Sequence, residues 1–246
     1  MPPAPPLELD PAREESELRA YLGDDYERDR LEGYQAQLDR EFEEVGDEDA
    51  FYRTSNGYLY NLTAFAMTGT KLPYLRELTR RLEPGARILD YGCGIGSDGL
   101  LLLEAGYRVE FADFDNPSAT YLRWRLEHRG LDAPVHDLDK DVPGGFDASY
   151  AFDVIEHVPD PYAFLAEMER RARLVEVNFL EPEPDDQDLH HDLPVKDLVG
   201  HAARLGLLYY RVLHGRSHLV IYRSEPGGPA ARVASLGRLA AGRIRG

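Results

Sequence analysis

Between Arg87 and Arg223, short apolar runs alternate with longer segments whose apolar residues recur every three or four positions. The runs Arg87–Tyr91, Arg108–Ala112, Val135–His136, Phe146–Phe152 and Leu174–Asn178 predict buried strands. Asp98–Ala105, Pro117–His128, Pro161–Arg171 and Val195–Leu205 predict helices, with Gly106 stopping the first. Strands alternating with helices in this way give an α/β fold, a parallel sheet covered on both faces. Leu207–Leu213 and His218–Arg223, joined about Gly215-Arg216, predict an antiparallel pair that ends the sheet.

The pattern before Arg87 is different. Pro11 to Asp49 is dense in Glu, Asp and Arg, and Leu18, Leu22, Leu31, Leu38 and Phe42 recur at roughly helical intervals, which predicts one or two charged amphipathic helices. Phe51–Tyr60 carries an Asn-Gly turn signal among aromatics and is expected to be a packed loop. A helix from about Leu59 to Leu82 should follow and end at Pro84-Gly85. After Pro226 the chain is rich in Gly, Ala and Arg, with Arg232, Arg238, Arg243 and Arg245 and no acid, and is expected to be a loose helical end. The expected organisation is a tail and helical lid over 1–57, the main domain over 58–225 and a basic flexible tail over 226–246.

Composition narrows the possible functions. The chain has 246 residues, 43% hydrophobic, enough for one large core with an appendage. No run approaches the roughly 20 apolar residues of a membrane span, so no stable membrane insertion is expected. Met1-Pro2-Pro3-Ala4-Pro5-Pro6 has neither the charged nor the apolar region of a secretory signal, and the lone Cys93 cannot form an internal disulfide. Both fit a cytoplasmic location. The net charge of −17 argues against nucleic acid as a partner and suits a neutral or cationic small molecule.

Four segments carry candidate chemistry. In Ile88-Leu89-Asp90-Tyr91-Gly92-Cys93-Gly94-Ile95-Gly96-Ser97-Asp98-Gly99, a strand runs into a glycine turn and then a helix, so a ligand can approach the backbone beside free helical N–H groups. Gly94 to Gly99 also fits the G-x-G-x-x-G dinucleotide pattern. Asp90 would be awkward beside a pyrophosphate and suits a ligand carrying positive charge. Phe111-Ala112-Asp113-Phe114-Asp115 places an acid where both hydroxyls of a ribose can donate to it; Asp113 is assigned by register, with Asp115 as alternative or helix cap. The third segment, Val135-His136-Asp137-Leu138-Asp139, ends a strand with acids. The fourth is Phe146-Asp147-Ala148-Ser149-Tyr150-Ala151-Phe152-Asp153-Val154-Ile155-Glu156-His157-Val158-Pro159-Asp160-Pro161.

The first of these resembles the opening motif of class I S-adenosylmethionine-dependent methyltransferases, matched by Asp90, Gly92, Gly94 and Gly96. The fourth resembles the strand-four segment of the ubiquinone-biosynthesis type, down to Ile-Glu-His-Val-Pro-Asp-Pro. The resemblance covers roughly Tyr74 to Arg223. It implies a Rossmann-like, seven-stranded, mostly parallel sheet with a reversed last strand, an N-terminal helical lid, and S-adenosylmethionine as cofactor with S-adenosylhomocysteine as product. It also implies that Asp137 receives the adenine amino group and Leu138 covers the ring. Phe114 and Phe152, in the second and fourth segments, join the cofactor-binding set, and Cys93 is a small filler of the turn.

The expected reaction is methyl transfer to a hydroxyl of a small metabolite. The acidic charge favours an amine and the quinone-pathway resemblance a hydroxyl, and the hydroxyl is preferred. His157, His190 and His191 are the candidate general bases. Asp153, Glu156 and His157 with His190 or His191 form a set suited to a divalent metal. The metal-holding relatives have Glu-x-x-Glu-His where this chain has the shorter Asp153, so no metal is expected. Tyr52, Tyr58 and Tyr60 are candidates for ligand contact or for simple packing. The rival readings are an inactive scaffold of the same fold, a protein or RNA methyltransferase, and a nicotinamide oxidoreductase.

Overall fold

The computed structural model describes residues 6–34, 41–43, 45–55, 57–181, 191–228, 234, 235 and 237–240. Seven strands form one sheet: β1 (Arg87–Tyr91), β2 (Arg108–Asp113), β3 (Val135–Asp137), β4 (Phe146–Ala151), β5 (Ala172–Leu180), β6 (Leu207–Leu213) and β7 (Ser217–Arg223). Their order is β3-β2-β1-β4-β5-β7-β6. Pairs β1/β4, β2/β3 and β4/β5 are parallel, whereas β7 is antiparallel to both β5 and β6. The expected α/β sheet with a reversed last strand is present, with β7 inserted between β5 and β6. β5 is longer than its apolar run because it pairs with β7 from Leu174↔Arg223 to Leu180↔Ser217.

The chain divides into two compact units, Met1–Gly85 with Gly92–Val142, and Ala86–Tyr91 with Pro143–Gly246. The first contains α1 (Pro11–Leu22), α2 (Arg28–Glu32), α3 (Glu48–Thr54), α4 (Tyr58–Met67), α5 (Leu72–Thr79), α6 (Ser97–Glu104) and α7 (Pro117–His128), with β2 and β3. α1 starts where Asp10 accepts from Ala12 N (3.1 Å) and Arg13 N (3.2 Å), with Pro11 following. Leu18, Leu31, Leu59, Tyr60, Ile95 and Tyr121 form a buried cluster joining α1, α2 and α4 to the glycine turn and α7.

Two expectations for this unit fail. Phe51–Tyr60 is not a loop: α3 runs to Thr54 and α4 begins at Tyr58, where the Ser55 hydroxyl accepts from Tyr58 N at 3.0 Å. The side-chain oxygen of Asp47 caps α3 through Ala50 N (2.8 Å), and this outweighs the aromatic loop signal. The helix expected from Leu59 to Leu82 is two helices. Gly69, at φ 68°, breaks it, and Pro73 lies in the first turn of α5.

The second unit packs α8 (Pro161–Arg171) and α9 (Val195–Leu205) against β4, β5 and β7. Asp160 caps α8 by accepting from Tyr162 N (3.0 Å) and Ala163 N (2.9 Å). Glu169 of α8 accepts from buried Tyr222 of β7 (2.8 Å) and pairs with His201 of α9 (2.7 Å). In the tail, 234, 235 and 237–240 are helical. There the Ser235 hydroxyl accepts from Leu207 N (3.1 Å) and Arg238 donates to Leu207 O (3.0 Å). Arg232, Arg243 and Arg245 lie outside the described residues.

Candidate functional site

β1 ends in a turn that glycines make possible. Gly92, Gly94 and Gly96 have φ of 77°, 52° and 71°. A Cβ on Gly96 would collide with Leu122 of α7. The turn's amides are largely used internally: Gly92 N and Cys93 N both donate to Ala112 O (2.8 and 3.1 Å), and Gly96 N donates to Cys93 O (2.8 Å). The turn therefore offers a ligand a close, side-chain-free approach more than a ring of free N–H groups.

Asp113 closes onto this turn. Its Oδ2 accepts from Gly94 N at 2.6 Å, and its Oδ1 from Phe114 N at 2.7 Å and Asn116 Nδ2 at 3.2 Å. Burial pushes its pKa up, and the three hydrogen bonds pull only part of the way back. A carboxylate has about four lone-pair sites, of which three are taken. By this count the remaining acceptor site is at Oδ2, which holds one bond against two at Oδ1. Asp115 is not the cap of α7: it is exposed and paired with Arg123 (3.0 Å), while Asn116 caps α7 by accepting from Ala119 N (2.8 Å).

The third segment is adjacent. Leu138 N donates to Asp113 O at 2.9 Å. Asp137 pairs with Lys140 (2.9 Å) and accepts from Asp139 N (3.0 Å), and these contacts, Lys140 first, hold its pKa low. From α3, Arg53 reaches Asp139 through two bonds (2.6 and 3.1 Å) and lies 4.0 Å from the centre of the Phe114 ring. Tyr52 accepts from Asn116 through its carbonyl (3.2 Å) and packs edge-on against Tyr58. Tyr60 is a packing residue: buried, its hydroxyl accepts from Glu27 N (2.9 Å) and donates to Asp25 O (3.3 Å). Beside the turn lies a cavity of about 50 Å³ lined by Leu62, Phe65, Lys71, Cys93, Ile95 and Asp98 among others. Lys71 in its wall, 4.0 Å from Asp98, carries no sequence signal that would single it out.

In the second unit Asp90 is buried near the end of β1, in register with Tyr150 of β4. Phe152 is buried, its ring tilted 30° against that of Tyr150 with centroids 4.9 Å apart. The next residue, Asp153, has φ 55°, in the left-handed region. Asn178 holds it there: Asp153 N donates to Asn178 Oδ1 (2.8 Å), and Asn178 Nδ2 donates to Asp153 Oδ1 (2.7 Å) and Ser217 Oγ (3.1 Å). Ile155–His157 forms one 3₁₀ turn with Glu156 buried and His157 half-buried. His191 is exposed, and its N donates to Glu156 O at 2.8 Å, which brings two of the candidate segments together. His190 lies outside the described residues. Among those described, no group of three or more His, Cys, Asp or Glu is placed to hold a metal, and no helix is long and apolar enough to cross a membrane.

Residues 67–214 match the family model of a methyltransferase domain. The chain belongs to that family, and with its reversed β7 it is of the class I, S-adenosylmethionine-dependent kind. Its similar curated relatives include ubiquinone biosynthesis O-methyltransferases of Xanthomonas axonopodis pv. citri, 34% identical over 97 residues, and of Bordetella avium, 31% identical over 103. The aligned parts are 37% and 39% of this chain, so the chain spans about two fifths of those relatives, 41% and 42%. Among solved structures, the magnesium protoporphyrin IX methyltransferase of Synechocystis PCC 6803, with bound S-adenosylmethionine, is 18% identical with a TM-score of 0.51, covering 87% of this chain and 97% of that one. A protein of Pyrococcus horikoshii is 17% identical with a TM-score of 0.53, covering 72% and 95%. Both share the fold.

Proposed function

We propose that this protein transfers a methyl group from S-adenosylmethionine to a hydroxyl oxygen of a small metabolite. The observation that carries the reading is the closure of Asp113 onto a turn of three left-handed glycines. A Cβ at Gly94 or Gly96 would press on Leu62 or Leu122, so the turn keeps its shape only with glycine, and the Asp113 carboxylate keeps an acceptor site for a ribose hydroxyl. When bound, the cofactor supplies an electrophilic methyl on a sulfonium and leaves as S-adenosylhomocysteine.

The chain's own residues align and shield. Asp113 takes the ribose, with Gly92, Cys93, Gly94 and Gly96 allowing close approach and Asp137, Leu138 and Phe114 serving the base. Asp90 and Phe152 complete the cofactor set, Asp90 by favouring positive charge. Lys71, lining the cavity beside the turn, suits a ligand carboxylate. From the N-terminal helices, Arg53 laid across Phe114 helps to exclude water. His157 holds the hydroxyl proton as general base, with His191 or His190 as alternative. The hydroxyl acceptor is supported by the similarity to ubiquinone-pathway O-methyltransferases, and a small one by the net charge of −17, which disfavours nucleic acid.

Calorimetry with S-adenosylmethionine and S-adenosylhomocysteine, on wild type and Asp113→Ala with NAD as control, tests the cofactor. Micromolar binding weakened by the substitution is expected. A screen of hydroxyl and amine acceptors with labelled methyl then tests the acceptor, and His157→Ala should lower turnover without changing cofactor affinity. A folded protein that binds neither ligand is a scaffold, and the proposal is wrong.

A further inference from the structure

The glycine turn is gripped from behind by a buried charge cluster that the proposed chemistry does not use. Arg125 of α7 has no solvent exposure. One of its terminal nitrogens donates to Ile95 O (2.9 Å) and Ser97 Oγ (2.8 Å), within the turn and at its exit. Its Nε donates to Glu17 (2.8 Å) and its other terminal nitrogen to Glu14 (2.6 Å), both on α1. Ser97 also donates to Glu14 at 2.7 Å. Arg129 joins Glu17 at 2.7 Å and Glu14 at 3.3 Å, making a neutral quartet of two acids and two guanidiniums, each at most 4% exposed.

We infer that Arg125 is a positioning residue through which docking of α1 sets the shape, and so the ligand affinity, of the glycine turn. The inference rests on the turn being the cofactor site. Ile95 stands between Gly94 and Gly96, two glycines with no Cβ to limit their backbone angles, so a hold on its carbonyl fixes the peptide between them. All three guanidinium nitrogens are engaged, two of them by α1 carboxylates. Undocking α1 strips those two partners and opens the guanidinium to water, so it reorients and releases Ile95. Docked α1 therefore keeps the turn preorganised. Linkage requires the converse: a ligand on the turn must stabilise docked α1.

The test uses the full chain with S-adenosylhomocysteine as probe. Glu14→Ala and Arg125→Lys should each weaken binding about ten-fold. Glu169→Ala, which removes the Tyr222 and His201 contacts in the other unit, should lower the melting temperature and leave affinity within about two-fold. In wild type, saturating probe should slow hydrogen exchange of the α1 amides. Wild-type binding with unchanged affinity in both variants, or with α1 exchange indifferent to the probe, overturns the inference alone. The exchange arm decides if a variant does not fold. No wild-type binding overturns the cofactor reading and this inference with it.

Discussion

The Gly94 amide donates to Asp113 Oδ2 at 2.6 Å, so one carboxylate both shapes the turn and faces whatever the turn receives. Asp113→Asn keeps an oxygen for Gly94 and loses the charge. It should fold and bind S-adenosylhomocysteine at least about ten-fold more weakly, since hydrogen bonds to charged groups contribute about 1.5–3 kcal/mol. Calorimetry at neutral pH measures it.

Binding should also depend on pH through the same group. Its pKa is raised from the ordinary 3.8 by burial. The ionised carboxylate is the better acceptor for ribose hydroxyls, so affinity is full above the raised pKa and falls as the pH drops through it. A titration series from neutral pH downward, compared with Asp113→Asn, should show the slope in wild type only.

Gly96→Ala meets two obstacles, a left-handed φ of 71° and the Leu122 side chain, whereas Gly85→Ala meets a φ of 78° and open space. The backbone strain common to both costs about 1–3 kcal/mol. Chemical denaturation should show Gly96→Ala the less stable, and only that variant should lose ligand binding. Equal effects would mean that Leu122 yields freely.

Glu17 gives a stability prediction. Burial alone would raise its pKa, but the Arg129 and Arg125 guanidiniums outweigh that and hold it below the ordinary 4.5. A carboxylate with a depressed folded pKa contributes stability that is present above the unfolded value and lost as pH falls through the folded one. The gap in melting temperature between wild type and Glu17→Gln should therefore be widest above pH 4.5 and shrink below it.

Asn178 pins the strained Asp153 through two bonds and has no solvent exposure. Asn178→Leu removes both bonds to Asp153 and should cost about 3 kcal/mol in urea unfolding. Asp153→Gly, which suits the left-handed backbone, should cost less. The reverse order would show that the carboxylate, not the backbone, needs holding.

Much of this protein follows from local pattern. The strands, α7, α8 and α9 come from apolar periodicity and caps, because these express one face of each element meeting a core. The Asp90 to Gly96 run is legible for a similar reason: a turn at three positive φ values demands glycine residue by residue. Where local signals competed, as at Phe51–Tyr60 and Gly69, the pattern misled, since caps and one left-handed residue override a periodicity summed over many.

What only the tertiary structure decided are the partnerships between distant residues. Glu14 and Glu17, and Arg125 more than a hundred positions further on, read in sequence as ordinary solvated charges of amphipathic helices. Only packing of α1 against α7 shows that they are buried together and that Arg125 holds Ile95. Lys71, Asn116 and Asn178 gained their places in the same way. Backbone geometry is specified within a few neighbours, so the turn can be read from its own residues. A buried charge is defined by its partners, and those come from whichever segment the fold brings alongside.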